Sequence, residues 1–430
     1  MTENRTEKEG VKGQATVVGL LWGTQVVAHI IRVALGVVAP TLMSLYHISP
    51  KVMGYVLSGW NWAYTAFMLL AGPVVDLFGS FIIMGLGSAV WGLATLALPL
   101  AATATSLFLM RALFGFGHCM LIPAQAASVS SWFRANQRAT ALGVCFSGGM
   151  VGLAVGATVA AFLATSLGWQ GVFYTIGGLS LVLTLLWFVL YPDRRVGAAA
   201  KSEAARQTSR VPLNVLLRYR STWGIAFGQM GYLYAYFFFV TWLPGYLILE
   251  RKMTLLRTGI VASLPFWLGM IGTLGGGWMG DYLIRRGFSR TRSRKTMIGI
   301  GLTLATITVV TAAFTEQTWL AVALLTLCMG CMRLTTGSAN SAPIDLAPPG
   351  AVGALTCIQN FAGNVGGLLA PIVTGYIVQT TGSFVYALVA AGAMVMFGGF
   401  SYVVITGRFE PLEIAREKVG IIGRSVTETL

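Results

Sequence analysis

Acidic residues are scarce in this chain, 14 in 430 against 29 lysines and arginines. None of the fourteen lies in the interior of an apolar run. Glu3, Glu7, Glu9, Asp76, Asp193, Glu203, Glu250, Asp281, Glu316, Asp345, Glu410, Glu413, Glu417 and Glu428 all fall in tails, in loops or at the ends of predicted helices. Charged residues of both signs make up only 10% of the chain, where a soluble domain carries roughly 25%, which excludes an ordinary soluble fold. Histidines number three and cysteines five. Cys328-x-x-Cys331 lacks the His, Cys or carboxylate company of a zinc site and reads as small residues packed between helices. No nucleophile–base pair, metal-spaced cluster or phosphate-cradling loop is present, so an enzyme, a bound metal and a cofactor are not expected. A cleavable leader is also not expected, because residues 1–13 are polar and the first apolar run is too long for a signal-peptide core.

Apolar residues fill the space left by these absences, at 56% of the sequence and a mean hydropathy of +0.74. Runs long enough to cross a bilayer fall at 15–42, 52–75, 81–101, 105–131, 139–165, 169–191, 221–248, 258–281, 296–314, 318–343, 351–378 and 383–406. The expected fold is therefore an all-α membrane protein of twelve spans. Of the 29 basic residues, 22 lie in the tails and loops on the side that holds both termini; Lys51, Arg251, Lys252 and Arg257 lie on the other. The positive-inside rule makes the richer side cytoplasmic. The net charge of +15 is thus a topology signal, and no nucleic-acid partner is implied. The longest polar break divides the chain into an N-terminal tail (1–14), a six-span bundle (15–191), a cytoplasmic linker with a short helix (192–220), a second six-span bundle (221–407) and a C-terminal tail (408–430).

The remaining three basic residues, Arg32, Arg111 and Arg333, lie deep within apolar runs. An ionised side chain near a bilayer midplane costs about 2.5–3.5 kcal/mol, so three unpaired ones approach 8–10 kcal/mol, on the order of a whole domain's stability. An anionic ligand would offset the charge. A bland alternative for each is a guanidinium spent on backbone carbonyls or a helix C-terminus.

The two halves look like diverged copies. Gly72-Pro-Val-Val-Asp76 follows the second span and Gly277-Trp-Met-Gly-Asp281 closes the eighth, sharing Gly-x-x-x-Asp at equivalent positions. Two six-helix repeats suggest a secondary transporter with its site near the midplane between them. These loops resemble the signature loop of the major facilitator superfamily. Longer stretches resemble its anion:cation symporter family: Arg32-Val-Ala-Leu-Gly-Val-Val-Ala-Pro40; Arg111-Ala-Leu-Phe-Gly115 with Pro123-Ala124 and Ser131-Trp132-Phe133; Trp242-Leu-Pro-Gly-Tyr246 with Val261-Ala-Ser-Leu-Pro265; and Gln359-Asn360-Phe361-Ala362-Gly363-Asn364 with Gly367, Pro371 and Gly375. The resemblance covers nearly the whole chain between the tails. It implies two pseudo-symmetric bundles and transport of organic anions such as sugar acids and other carboxylates, mostly with protons.

The same resemblance assigns roles. Arg32 and Arg111 match two arginines that hold the substrate carboxylate, a task suited to a planar, permanently charged fork. Tyr64 matches a tyrosine that hydrogen-bonds substrate, with Trp60 one turn away; Asn360 and Asn364 would offer neutral donors and acceptors. Each of these could equally be packing or interhelical hydrogen bonding. Arg333 has no counterpart in the family pattern and would either meet a second anionic group or tie helices together. His118, two turns after Arg111, stands where the family has a proton-coupling glutamate, and a second acidic position corresponds to Ile31. A neutral histidine near an arriving anion takes up a proton more readily, which links proton and anion binding. His29, three residues before Arg32, is a secondary candidate. Gly149 stands where sugar-acid members have a glutamine, an argument for a less hydroxylated anion. Asp76 lacks the usual basic neighbours while Asp281 keeps Arg285; these residues are expected at a cytoplasmic gate.

The expected protein is a monomeric, multi-pass inner-membrane importer of a small organic carboxylate, coupled to H+ and working by alternating access in the lipid bilayer. Exchange of anions without proton coupling is the alternative. Drug efflux is disfavoured, because cation exporters place acids in the membrane and the fifth span has no glycine–proline antiporter motif.

Overall fold

The computed structural model describes residues 2–191, 211, 213–348 and 351–413, with side chains from residue 13 onward except at 135, 136, 139 and 281. The first half comprises α1 (Thr2–Leu45), α2 (Pro50–Phe78), α3 (Ser80–Ala97), α4 (Ala104–His118), α5 (Leu121–Trp132) and α6 (Ala135–Leu190). The second comprises α7 (Leu213–Leu216), α8 (Arg220–Thr241), α9 (Leu243–Leu249), α10 (Leu255–Arg285), α11 (Arg290–Phe314), α12 (Thr318–Leu334), α13 (Thr336–Leu346), α14 (Val352–Thr381) and α15 (Val385–Phe400), which ends in a π-helical turn at Ser401–Ile405. The described fold is all helical, as a lipid solvent requires when every backbone group must be satisfied within its own segment.

Among the described residues, nine helices are long and apolar enough to cross a membrane, or ten with the bent pair α8–α9. One of the nine, Thr140–Leu190, is 51 residues long and holds two spans that meet at Gly168, where φ is +73°. The helix α2, at 29 residues, is also long enough and carries the polar residues Ser58 and Asn61 buried within it. With these two adjustments the twelve expected spans are accounted for. The short helix anticipated in the linker is α7; residues 192–210, with most of that linker, and 414–430 of the C-terminal tail lie outside the described residues.

Three expected continuous spans are broken. The seventh bends by 50° where Trp242, Leu243 and Pro244 follow α8. The fourth breaks between His118 and Leu121, because Pro123 cannot donate the next helical hydrogen bond. The tenth breaks at Thr335, whose hydroxyl takes the Met332 carbonyl at 2.7 Å. Hydropathy runs unchanged across these points, so it does not reveal them. The last two breaks are equivalent, being the fourth span of each half. They put His118 and Arg333 in the last turns of α4 and α12, where the helix dipole favours a cation.

Within the first half α1 packs on α6, and α4 on α2 and α3. The halves meet along α2–α14 and α6–α10, with α1 touching α8 and α9. Cross-half bonds near the loop that joins α1 to α2 include Lys51 N to Gln379 Oε1 at 3.2 Å and Thr158 Oγ1 to the Gly259 carbonyl at 3.1 Å. Deeper, Asn61 Nδ2 donates to the Gly367 carbonyl at 2.9 Å. The glycine face of α4 sets the site: a Cβ on Gly115 would collide with the Trp60 carbonyl oxygen. Gly115→Val should lower the melting temperature of the purified protein by several degrees, since overpacking costs about 1–3 kcal/mol. Gly178→Val, at a position with nothing within 4 Å of its Cβ, should leave it unchanged. Equal melting temperatures for the two variants would contradict the packing.

Candidate functional site

Arg32 sits in the middle of α1, far from either helix end and its dipole. Its guanidinium carbon lies 4.2 Å from the Trp60 ring centroid in α2 and 4.6 Å from that of Phe237 in α8, so one aromatic ring from each half grips it. Tyr236 is 5.8 Å away. No hydrogen-bond partner meets the buried Arg32 Nε, and the residue as a whole is only partly buried. Arg111 differs. It is 2% exposed, and its Nη1 and Nη2 donate to the carbonyls of Ile31 and Arg32 at 3.4 and 3.5 Å. Its Nε is unpaired, and the Phe114 ring lies 5.3 Å from its guanidinium carbon. Arg111 thus directs its two terminal nitrogens at the backbone of α1, while its Nε, like that of Arg32, is buried without a partner.

His118 is sealed, at 3% exposure, in a shell of rings: Phe114 at 5.4 Å, Trp60 at 5.6 Å, Tyr64 and Trp91 at 5.8 Å, and His29 at 5.9 Å between centroids. Neither ring nitrogen has a hydrogen-bond partner. His29 is half-buried, and its Nδ1 lies 2.8 Å from the Gln25 carbonyl. A carbonyl only accepts, so Nδ1 carries the hydrogen and Nε2 presents a lone pair. Gln25 in turn donates from Nε2 to Gln125 Oε1 at 2.7 Å. The seat of His29 is the glycine face of α6. A Cβ on Gly149 would lie 2.9 Å from His29 Cε1, and one on Gly152 2.9 Å from His29 Cβ. The missing glutamine at Gly149 thus leaves no gap: an imidazole fills it.

Arg333 is 8% exposed; its Nη1 donates to the Tyr232 hydroxyl at 3.3 Å and its Nη2 reaches Met150 Sδ, in the other half, at 2.6 Å. Its guanidinium carbon lies 5.6 Å from the same Tyr236 ring that neighbours Arg32. Tyr64 stacks on Trp60 at 4.7 Å and its hydroxyl makes no hydrogen bond among the described residues. Asn364 Nδ2 donates to the carbonyl of Asn360 at 2.9 Å and lies 3.8 Å from Met68 Sδ, one turn beyond Tyr64. Asn360 is half-buried on the same face. The structure thus brings together Arg32, Arg111, His29, His118, Tyr64 and Arg333, with Asn360 and Asn364 at the edge.

The expected gate residues stand apart from this cluster. Asp76 is exposed in the last turn of α2, so it does not cap a helix start, and it has no ion-pair partner among the described residues. The side chain of Asp281 lies outside the described residues, and Arg285 is exposed. The ion pair on this side is one the sequence did not single out, Arg294 Nε to Asp345 Oδ2 at 3.1 Å.

A family model described as the Major Facilitator Superfamily matches residues 21–371. The chain belongs to that superfamily. Among curated relatives, the D-galactonate transporter of Escherichia coli (strain CFT073) is 31% identical, over 93% of this chain and 97% of its own. The probable galactarate/D-glucarate transporter GarP of Escherichia coli (strain K12) is 30% identical, over 95% and 98%. Among solved structures, a bacterial homologue of the human lysosomal transporter Spinster, inward-facing and unoccupied, superposes with a TM-score of 0.76 at 15% identity, over 92% of this chain and 97% of that one. The superfamily fold is a transporter's, not an enzyme's.

Two members of the cluster, and the inter-half tie of Asn61 to Gly367, escaped sequence reasoning. Phe237 and Tyr236 looked like two more aromatics in a run, and only the approach of the halves gives them to Arg32. Asn61, a lone amide in an apolar span, was a usable signal that went unread. The seat of His29 is directly testable. Gly149→Ala should destabilise the protein, and the penalty should vanish in a His29→Ala background, with a coupling of about 0.5–3 kcal/mol in a double-mutant cycle read from thermal unfolding. Additive effects would contradict the contact.

Proposed function

We propose that this chain is a secondary active transporter that takes up an organic carboxylate of the sugar-acid class by alternating access, with proton coupling through its histidine pair. The observation that carries this reading is Arg32. It is a permanent cation in mid-helix with an unpaired buried Nε, gripped by one ring from each half and accompanied by no carboxylate among the described residues. A substrate carboxylate supplies the missing charge, and the Tyr64 hydroxyl stands ready as a donor. Because Trp60 and Phe237 belong to different halves, a ligand that replaces them as the partner of Arg32 acts on the contact that governs how the halves sit. A ligand with different affinities for two arrangements shifts the balance between them. The relatives named for galactonate and for galactarate or D-glucarate support the substrate class. The charge bias of the loops supports a location in the cytoplasmic membrane with both termini inside, as two bundles (15–191 and 221–407) joined by a cytoplasmic linker.

His29, not His118, is the better-placed proton acceptor. Its Nδ1 is held by the Gln25 carbonyl, its Nε2 carries a lone pair and the residue is half-buried, three residues from Arg32, whereas both nitrogens of His118 are buried without a partner among rings. A proton on His29 and an anion on Arg32 would favour one another. His118 then backs His29 across a 5.9 Å ring contact. The absence of any acid in the spans favours anion exchange as the second reading, because exchange needs no protonatable group.

Proteoliposomes separate these readings. Wild-type protein should accumulate D-galactonate or a related sugar acid under an inward proton gradient. Arg32→Gln should weaken apparent affinity roughly 10- to 150-fold, the range for losing a hydrogen bond to a charged group. His29→Gln should abolish gradient-driven accumulation and leave homoexchange intact. Accumulation that survives in His29→Gln and is lost in His118→Gln would return the coupling role to His118. Accumulation in neither the wild type nor the variants, with exchange in all, would establish the exchanger.

A further inference from the structure

Arg333 remains once the carboxylate site has been assigned. It projects from the last turn of α12, in the second half, yet its guanidinium reaches a methionine of the first. A guanidinium has five N–H donors. The partners here are one phenol hydroxyl, Tyr232 at 3.3 Å, and one thioether, Met150 Sδ, a weak acceptor. Neither carries charge. Tyr232 is itself held, its hydroxyl 3.2 Å from Thr336 Oγ1. Arg333 is therefore as short of an anion as Arg32.

Its position relates it to the same site. The guanidinium carbons of Arg32 and Arg333 lie 5.8 and 5.6 Å from the centroid of one ring, Tyr236. Met150, which Arg333 touches, adjoins Gly149, on which His29 rests. The two cations thus sit on opposite halves of the protein and neighbour one ring, that of Tyr236. A single carboxylate on Arg32 leaves Arg333 unneutralised in a region with no acid among the described residues. A second anionic group supplies both what the charge balance lacks and a reason for Arg333 to face the other half.

We infer that Arg333 is a specificity-determining residue that binds a second carboxylate, so that the preferred substrate is a diacid bridging Arg32 of one half and Arg333 of the other. This rests on the carboxylate site proposed at Arg32. A bridging diacid bonds to both halves at once, so it favours the arrangement in which they lie closest over the site. A monoacid cannot do this.

The test uses purified full-length protein and matched ligand pairs, each a diacid and a monoacid of equal carbon number: galactarate with D-galactonate, succinate with butyrate, and phthalate with 2-methylbenzoate. Affinities are read from ligand-induced shifts in thermal unfolding. The tightest ligand should be a diacid, at least tenfold tighter than its monoacid partner. Arg333→Gln should weaken that diacid roughly 10- to 100-fold and change the monoacid less than about twofold, a selective loss expected of one charge-assisted contact. Arg333→Lys, which keeps the charge and loses the fork, should fall between and guards against a folding defect in the glutamine variant. A monoacid as tightest ligand, no binding by any diacid, or an equal loss for both members of a pair in Arg333→Gln would overturn the inference. Arg32→Gln is the separate control: if it leaves both members of the pair bound, the Arg32 site itself is wrong.

Discussion

The guanidinium of Arg32, held between Trp60 of one half and Phe237 of the other, is the contact on which the rest of the structure turns. A desolvated cation–π contact offers about 2 kcal/mol, against about 2.5–3.5 kcal/mol for placing the charge at depth. Two rings therefore make the cation tolerable but leave its hydrogen-bond donors unfilled. Everything nearby is arranged around that shortage. Arg111 directs two of its donors at the carbonyls of Ile31 and Arg32 and keeps an unpartnered Nε of its own. Gly115 lets α4 approach α2 closely enough for His118 to meet Trp60 and Tyr64.

Charge placement made much of this legible beforehand. Twelve runs, the division into two halves and the three intramembrane arginines all follow from where apolar and charged residues fall along the chain. What stayed hidden depends on contacts between distant segments. Hydropathy could not separate Arg32, which lies between two aromatic rings, from Arg111, which points at the backbone of α1, because both are arginines in apolar surroundings. Nor could it rank the histidines. The seven-residue spacing from Arg111 to His118 drew attention to His118, yet the bond from His29 to the Gln25 carbonyl is a local i to i−4 contact that was readable in principle. The helix breaks after His118 and at Thr335 were hidden for a different reason: a broken span is as apolar as an intact one.

The departures from the family pattern become coherent when taken together. A glycine in place of a glutamine, an isoleucine in place of an acid and a histidine in place of a glutamate look like three losses in the sequence. In space, Gly149 makes room for the imidazole of His29, and His29 and His118 face one another beside the arginine. Imidazole chemistry occupies the volume where carboxylate and amide chemistry would otherwise sit. A neutral imidazole gaining a proton adds positive charge beside the substrate, whereas a carboxylate gaining one removes a negative charge. Either change favours an anion, so linkage between proton and anion can survive the exchange of side chains.

The most direct measurement is a structure of the protein with a bound sugar acid. A carboxylate should lie within hydrogen-bond reach of the Arg32 guanidinium, close to the Tyr64 hydroxyl, with Trp60 or Phe237 withdrawn from the guanidinium face. A carboxylate bound elsewhere, with Arg32 still gripped by both rings, would contradict this account of the site.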